Sequence, residues 1–324
     1  MSEAGLASLC VVVPCFNEEA VIGAFHARLM AALDALPVSA QVLYVDDGSR
    51  DRTAAAIAAL CAADPRVGAL RLSRNFGKEL ALTCGLDHAE ADAVVVIDAD
   101  LQDPPELIAT LWARFREGHD VVYAVRRSRA GESWFKRATA SAFYRVIGRL
   151  SDTPVPADTG DFRLLSPRAL LALRGLRERH RFMKGLFGWV GYAQVGVPYD
   201  RAPRAAGSSK WNWWRLWNFA IEGITSFSVA PLRVATYVGL LSAVLAFAYG
   251  AWIVAKTLLW GDPVAGYPSL MAVILFLGGI QLMALGLIGE YLGRLYLESK
   301  RRPLYLVEAA LGSARLQGEK AGGA

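Results

Sequence analysis

The chain has 324 residues, a net charge of +5 and 54% hydrophobic residues, with a mean hydropathy of +0.30. That length exceeds one ordinary domain, and the hydropathy is high for a purely soluble protein, which points to membrane spans. The basic balance points to anionic partners, namely nucleic acid, phosphate-bearing substrates or an anionic membrane. Cys10, Cys15, Cys61 and Cys84 have no CxxC spacing and no histidine at zinc-ligand spacing, which argues against a zinc site and for reduced, buried thiols in a cytosolic domain.

In chain order, LCVVVPCF is an apolar strand. It lacks a basic leader and stops at Asn17-Glu18-Glu19, so it does not read as a signal peptide. A helix is predicted from about Glu18 to Leu36. QVLYVDD and a helix after Ser49 follow, then VGALRLS and a helix from Lys78. AVVVIDADL precedes a helix near Glu106–Glu117, and DVVYAV closes the series. Continuous apolar strands alternating with helices predict an α/β fold with a parallel sheet covered on both faces. Ligands of such sheets sit beyond the carboxyl ends of the strands. Asp46, Asp47, Asp98 and Asp100 fall at those ends.

From Ser133 to Leu150 the pattern changes. Arg137, Ser141, Arg145 and Arg149 recur at i+4 and share one helix face. This is either an interface helix on an anionic membrane or a surface helix packed on the sheet. A second amphipathic region, KWNWWRLWNFAIEGI from Lys210, carries Trp211, Trp213, Trp214 and Trp217, which suit the headgroup level. Two uncharged runs follow, Val234–Ala255 and Val264–Gly289, each long enough for a hydrocarbon core of roughly 30 Å. Arg233 precedes the pair, and Arg294, Lys300, Arg301 and Arg302 follow it. The positive-inside rule then puts both ends, and the large domain, in the cytoplasm. Gly289 and Gly293 have GxxxG spacing. The expected units are a catalytic domain over 1–207, interfacial helices over 208–232, a two-helix membrane region over 233–293 and a cytosolic tail over 294–324, disordered from Gly312.

Four segments carry chemistry. VVVPCFNEE and VDDGS place acidic residues at helix starts, where simple capping is the competing explanation. IDADLQDPPE sets Asp98 and Asp100 one residue apart at a strand end. Two carboxylates so close repel unless a cation lies between them, and oxygen ligands suit Mg²⁺ or Mn²⁺ with substrate phosphates. Gln102 would add a neutral oxygen, and a solvated acidic turn is the alternative. In ADTGDFRLLS, Asp161 is either a base or a structural partner of Arg163. RHRFMKGLFGWVGY mixes cations, aromatics and glycines, as a loop closing over a diphosphate would.

In this order the segments, with SRNFGKELALTCGLDHA between them, resemble the polyisoprenyl-phosphate glycosyltransferases of glycosyltransferase family 2. The likeness runs from about Leu9 to Val307 and is closest to the bacterial members. It implies a GT-A (Rossmann-like) catalytic domain with two C-terminal transmembrane helices in a bacterial inner membrane. It also implies metal-dependent, inverting transfer from a nucleotide-sugar, with a UDP-sugar favoured, to undecaprenyl phosphate. GDP-mannose or a UDP-aminoarabinose derivative are alternative donors. By the resemblance, Pro14, Phe16, Glu18, Asp46, Asp47, Gly77, Lys78, Asp98, Arg181 and Lys184 meet the nucleotide-sugar. Asp98, Asp100 and Gln102 hold the metal. Arg126, Arg137 and Ser141 hold the lipid phosphate. Asp161, Asp100 and Arg126 form the catalytic set, and a homo-oligomer is implied. Asp161 matches a proposed base, but a phosphate monoester with a second pKa of about 6 is already ionised at neutral pH. Asp161 is therefore expected mainly to orient the acceptor or Arg163.

Competing readings fit less well. A processive polysaccharide synthase would carry QxxRW and more helices, and a dinucleotide oxidoreductase would have GxGxxG where PCFNEE stands. A membrane scaffold would not need the acidic and cationic site positions. Many cations lie beside apolar segments, which points away from nucleic acid.

Overall fold

The structure is a computed structural model and describes residues 7–127, 159–179, 181, 183–200, 230–260 and 266–314. The expected helix over 133–150, with Arg137 and Ser141, lies outside the described residues. So do the tryptophan-rich segment before 230 and the turn at 261–263.

Eight strands form one sheet: β1 (Ser8–Cys15), β2 (Ser39–Asp46), β3 (Val67–Leu72), β4 (Ala93–Val96), β5 (Val121–Arg126), β6 (Thr159–Leu165), β7 (Gln194–Tyr199) and β8 (Val307–Gly312). Their order is β7-β5-β6-β4-β1-β2-β3-β8. The apolar runs of β1 to β4 pair in parallel, as their lack of alternation predicts. Two strands depart from the expected parallel sheet. β6 lies antiparallel between β4 and β5, and β8 is antiparallel on the outer edge of β3.

Within the expected tail of 294–324, residues 307–312 form an edge strand, β8, held by β3. Gly312 adopts φ +63°, and a Cβ there would meet the Val67 carbonyl oxygen at 2.2 Å. The chain thus returns to the sheet after its last long helix, covering an edge that would otherwise expose unpaired backbone groups.

Helices α1 (Ile22–Asp34), α2 (Thr53–Ala63) and α4 (Ile108–Arg116) cover one face. Helices α3 (Lys78–His88), α5 (Pro167–Gly175) and α6 (Met183–Trp189) cover the other. Strand alternation splits the core: Leu9, Val11 and Val13 face α1 and α4, whereas Cys10 and Val12 face α3. Each fully buried Val or Leu contributes roughly 1.5–3 kcal/mol. α1 starts four residues later than predicted. Asn17 turns left-handed at φ 55°, and the Asn17, Glu18 and Glu19 backbone N–H groups donate to Ser49, Thr53 and Asp51. Those bonds draw the chain across to the next loop before a helix can begin.

α3 lies flush on the sheet at Gly85, where a Cβ would stand 2.2 Å from Val12 Cγ1 and 3.1 Å from Val45 Cγ2. Val12 is buried and stiff at χ1, so it has little room to yield. Gly85→Ala is expected to lower stability by about 1–3 kcal/mol through overpacking. Thermal unfolding checks this, and an unchanged midpoint would mean that α3 shifts freely on the sheet.

Beyond residue 229 stand two long helices, α7 (Ala230–Trp260) and α8 (Tyr267–Ser299), which touch each other. Both are long and apolar enough to cross a membrane. Their large side chains, such as Phe247, Phe276, Leu282 and Met283, face outward rather than into a core. Exposed apolar surface on that scale requires an apolar surrounding. A Cβ on Gly289 or Gly293 would meet nothing within 4 Å among the described residues.

Candidate active site

The carboxyl ends of β1, β2 and β4 open on a cleft of about 460 Å³. Pro14, Phe16, Glu18, Asp47, Gly77, Lys78, Asp98 and Asp100 all line it. These eight expected site residues come together. Asp46, Gln102, Asp161, Arg126, Arg181 and Lys184 are not part of that lining.

Asp46 and Asp47 are mostly occupied with structure. Asp46 Oδ1 accepts from the Ser49 N–H at 3.1 Å, and its Oδ2 lies 3.7 Å from Arg71 Nε. Asp47 accepts from the Phe76 N–H at 2.7 Å and the Gly77 N–H at 2.9 Å. Burial raises the Asp47 pKa against the pull of those two bonds. Gly77 sits at φ +101°, a conformation that only glycine adopts without strain, and starts α3. Asp47 thereby fixes the point from which Lys78 emerges.

The centre is a charge cluster. Lys78 Nζ lies 2.7 Å from Asp98 Oδ2 and 2.6 Å from Asp161 Oδ2. β6 explains the arrangement. It pairs Arg163 with Val96, and extending that antiparallel register by two residues sets Asp161 opposite Asp98. Lys78 bridges the two carboxylates, although 46% of its side chain remains exposed. Burial opposes ionisation of Asp161, but Lys78 dominates with help from Lys184 and Arg163, and holds its pKa at about 2. Burial raises the Asp98 pKa against the same Lys78.

Arg163 does not pair with the Asp161 carboxylate. It donates to the backbone carbonyls of Asp161 at 3.2 Å and Gly160 at 2.7 Å, and its guanidinium carbon lies 3.6 Å from the centre of the Phe187 ring. Burial brings its pKa down to about 10. This stack joins β6 to α6, which carries Lys184. Burial also lowers the Lys184 pKa while Asp161 opposes the shift.

Arg126 ends β5 beside Gly160 and hydrogen-bonds Tyr199, whose hydroxyl also donates to Asp103. Arg181 is buried. It donates to the Leu176 carbonyl, and its Nε has no acceptor among the described residues. Leu101 takes φ 59°, uncommon for a branched side chain, directly after Asp100. The Gln102 N–H donates to Asp100 Oδ1 at 3.1 Å and closes this turn.

A family model described as Glycosyl transferase family 2 matches residues 10–173, and one described as GtrB C-terminal hairpin matches residues 230–295. The chain belongs to glycosyltransferase family 2. It is a glycosyltransferase with a GT-A catalytic domain. It is 51% identical to an uncharacterized glycosyltransferase of Synechocystis sp., over 96% of this chain and 98% of that one. It is 48% identical to the bactoprenol glucosyl transferase of Shigella phage SfV, over 93% and 98%. It is 46% identical to the prophage bactoprenol glucosyl transferase homolog of Escherichia coli K12, again over 93% and 98%.

Among the described residues of this glycosyltransferase, no three His, Cys, Asp or Glu side chains are grouped to hold a metal alone. The donor chemistry still fits a hard divalent cation. Asp98 and Asp100 both reach the cleft, and the buried Asp161 Oδ1 has no hydrogen-bond partner among the described residues. Two carboxylates suffice for a cation that takes its other ligands from phosphates and water.

The sequence reading passed over Glu79, which follows Lys78 on α3. Its Oε2 is shut off from solvent without a hydrogen bond, while the Met183 N–H donates to the carboxylate. Burial, then the Asp161 charge, push its pKa from 4.5 up to about 7. Between those values the folded glycosyltransferase holds a proton that the unfolded chain has released. Stability therefore falls as pH rises from about 4.5 to about 7, and the penalty is complete above that. Glu79→Gln is expected to stabilise the protein by on the order of 2 kcal/mol at pH 8 and little near pH 4.5. Unfolding curves at the two pH values check the sign.

Proposed function

We propose that this glycosyltransferase moves a hexose, with glucose from UDP-glucose as the first choice, onto undecaprenyl phosphate at the cytoplasmic face of a bacterial inner membrane. The observation that carries the reading is the Lys78–Asp98–Asp161 cluster at a strand-end cleft, in a chain whose long apolar helices α7 and α8 lead straight back into the same sheet. The 48% identical relative named bactoprenol glucosyl transferase supports both the acceptor and the sugar. The pairing of β8 with β3 supports a hairpin that begins and ends on one side of the bilayer, and Arg233 before it with Lys300, Arg301 and Arg302 after it favours the cytoplasm as that side.

Pro14, Phe16, Glu18 and Gly77 receive the nucleotide, while Asp46 and Asp47 hold the loops beneath it. Asp98 and Asp100, with Gln102, would hold Mg²⁺ or Mn²⁺. Such a cation, bound with the diphosphate, supplies charge neutralisation for the leaving group. Lys78, Arg181 and Lys184 balance the remaining diphosphate charge. Arg126, with Arg137 and Ser141, positions the lipid phosphate. A phosphate oxygen attacks the anomeric carbon in line. The bond to the nucleoside diphosphate breaks, its electron pair leaves with that group, and the configuration inverts. Asp161, held ionised by Lys78, is a weak base, and the acceptor needs no deprotonation. Its part is to keep Lys78 in place.

The test is transfer of label from a panel of UDP- and GDP-sugars to undecaprenyl phosphate by purified protein with Mg²⁺ or Mn²⁺. Label entering the lipid phase from UDP-glucose supports the proposal. Transfer from another donor alone replaces the sugar, and no transfer from folded, nucleotide-binding protein removes the acceptor.

A further inference from the structure

The segment from Leu176 to Arg179 precedes α6, whose Lys184 acts electrostatically on Asp161. It is clasped from two sides through Glu298 at the end of α8 and through Arg302 and Tyr305 after it. On one side, Asp87 in the last turn of α3 is buried. It accepts from Arg177 Nη1 at 2.6 Å and from the Tyr305 hydroxyl at 2.7 Å. On the other, the Arg179 N–H donates to Glu298 Oε1 at 2.6 Å, and the Arg179 guanidinium donates to the Arg302 carbonyl. The Ser73 N–H donates to the Leu306 carbonyl at 3.0 Å and ties the same strap to the end of β3. α3 itself carries Lys78 at its other end.

We infer that Tyr305 and Glu298 are positioning residues for transfer. Acting through Asp87–Arg177 and through Arg179, the exit of α8 fixes the segment that delivers Arg181 and Lys184 to the donor diphosphate. The inference rests on the proposed role of those two cations. Its physical basis is the buried carboxylate. Asp87 is 3% exposed, so its donors, including the half-exposed Arg177, make charge-assisted bonds to a buried carboxylate, and losing one frees the segment it anchors. The membrane helices then serve the site by contact as well as by anchoring it near the lipid.

Tyr305→Phe keeps the ring beside His88, whose ring centre is 6.2 Å away, and removes only the hydroxyl. In the full-length protein, Tyr305→Phe and Glu298→Gln are each expected to speed amide hydrogen exchange over residues 176–189. The donor KM should rise about tenfold, with acceptor KM unchanged. Ala310→Gly is the control. It weakens the β8 edge strand without touching Asp87 and should leave donor KM within about twofold at a comparable loss of thermal stability. Equal KM changes in the control would reduce Tyr305 to a merely stabilising residue and overturn the inference. So would exchange over 176–189 that matches the wild type. If the wild type transfers no sugar, the functional proposal fails, and the exchange measurement still decides whether the strap holds this segment.

Discussion

Asp161→Asn is expected to lower kcat by about 10²–10³-fold while leaving the shape of the pH–rate profile unchanged. The argument is electrostatic. Lys78 stands between two carboxylates, and removing one charge leaves it drawn to Asp98 alone, away from its bridging position. A side chain that must meet a developing charge loses most of its value when displaced by about 1 Å. The fold should survive, because Arg163 is tied to the backbone carbonyls of residues 160 and 161 rather than to the Asp161 carboxylate. A group held at about 2 is ionised throughout the working range, so its loss removes no titration from the profile. The stability it contributes is present above about 3.8, the unfolded value, and disappears as pH falls through about 2. Loss of all turnover together with a limb of the pH profile, with acceptor binding intact, would instead identify Asp161 as the general base.

Asp100→Ala should abolish metal-stimulated transfer, by about 10³-fold or more, with the fold intact. Asp100 lines the cleft together with Asp98. It is anchored by the Gln102 N–H in a turn where Leu101 carries an unfavourable backbone conformation. Left-handed backbone at a branched residue costs roughly 1–2 kcal/mol and persists when the surroundings enforce it. Here it sets the turn that follows Asp98 and Asp100 at the cleft. Calorimetry gives a readout independent of turnover. The wild type should bind UDP more tightly with Mg²⁺ or Mn²⁺ than without, and the variant should lose that difference. Full activity in the variant would refute the metal assignment.

Much of this molecule was legible before any coordinates. The uninterrupted apolar runs VVV and VVVI could only be strands buried on both faces, and they are β1 and β4. Strands of that kind point their carboxyl ends to a common edge, so acidic residues there had to converge. Pro14, Phe16, Glu18, Asp47, Gly77, Lys78, Asp98 and Asp100 do share one cleft. The long uncharged runs became α7 and α8 for an equally local reason, since length and polarity decide whether a helix can tolerate hydrocarbon. The helix boundaries were less legible. α1 begins at Ile22 because Ser49, Asp51 and Thr53, distant in sequence, hold the preceding turn.

The sequence by itself determined the strand–helix alternation, the edge of the sheet where the acidic motifs lie and the two long apolar helices, because each depends on a periodicity or composition within a few tens of residues. Only the tertiary structure decided that β6 enters the sheet antiparallel and sets Asp161 opposite Asp98, that Lys78 rather than Arg163 meets that carboxylate, and that residues 307–312 return as β8. It alone brought Tyr305 to Asp87 across 218 positions of chain. Strand partners, register and buried ion pairs are chosen by which surfaces meet when the whole core closes, and no local pattern in a single sequence records that choice.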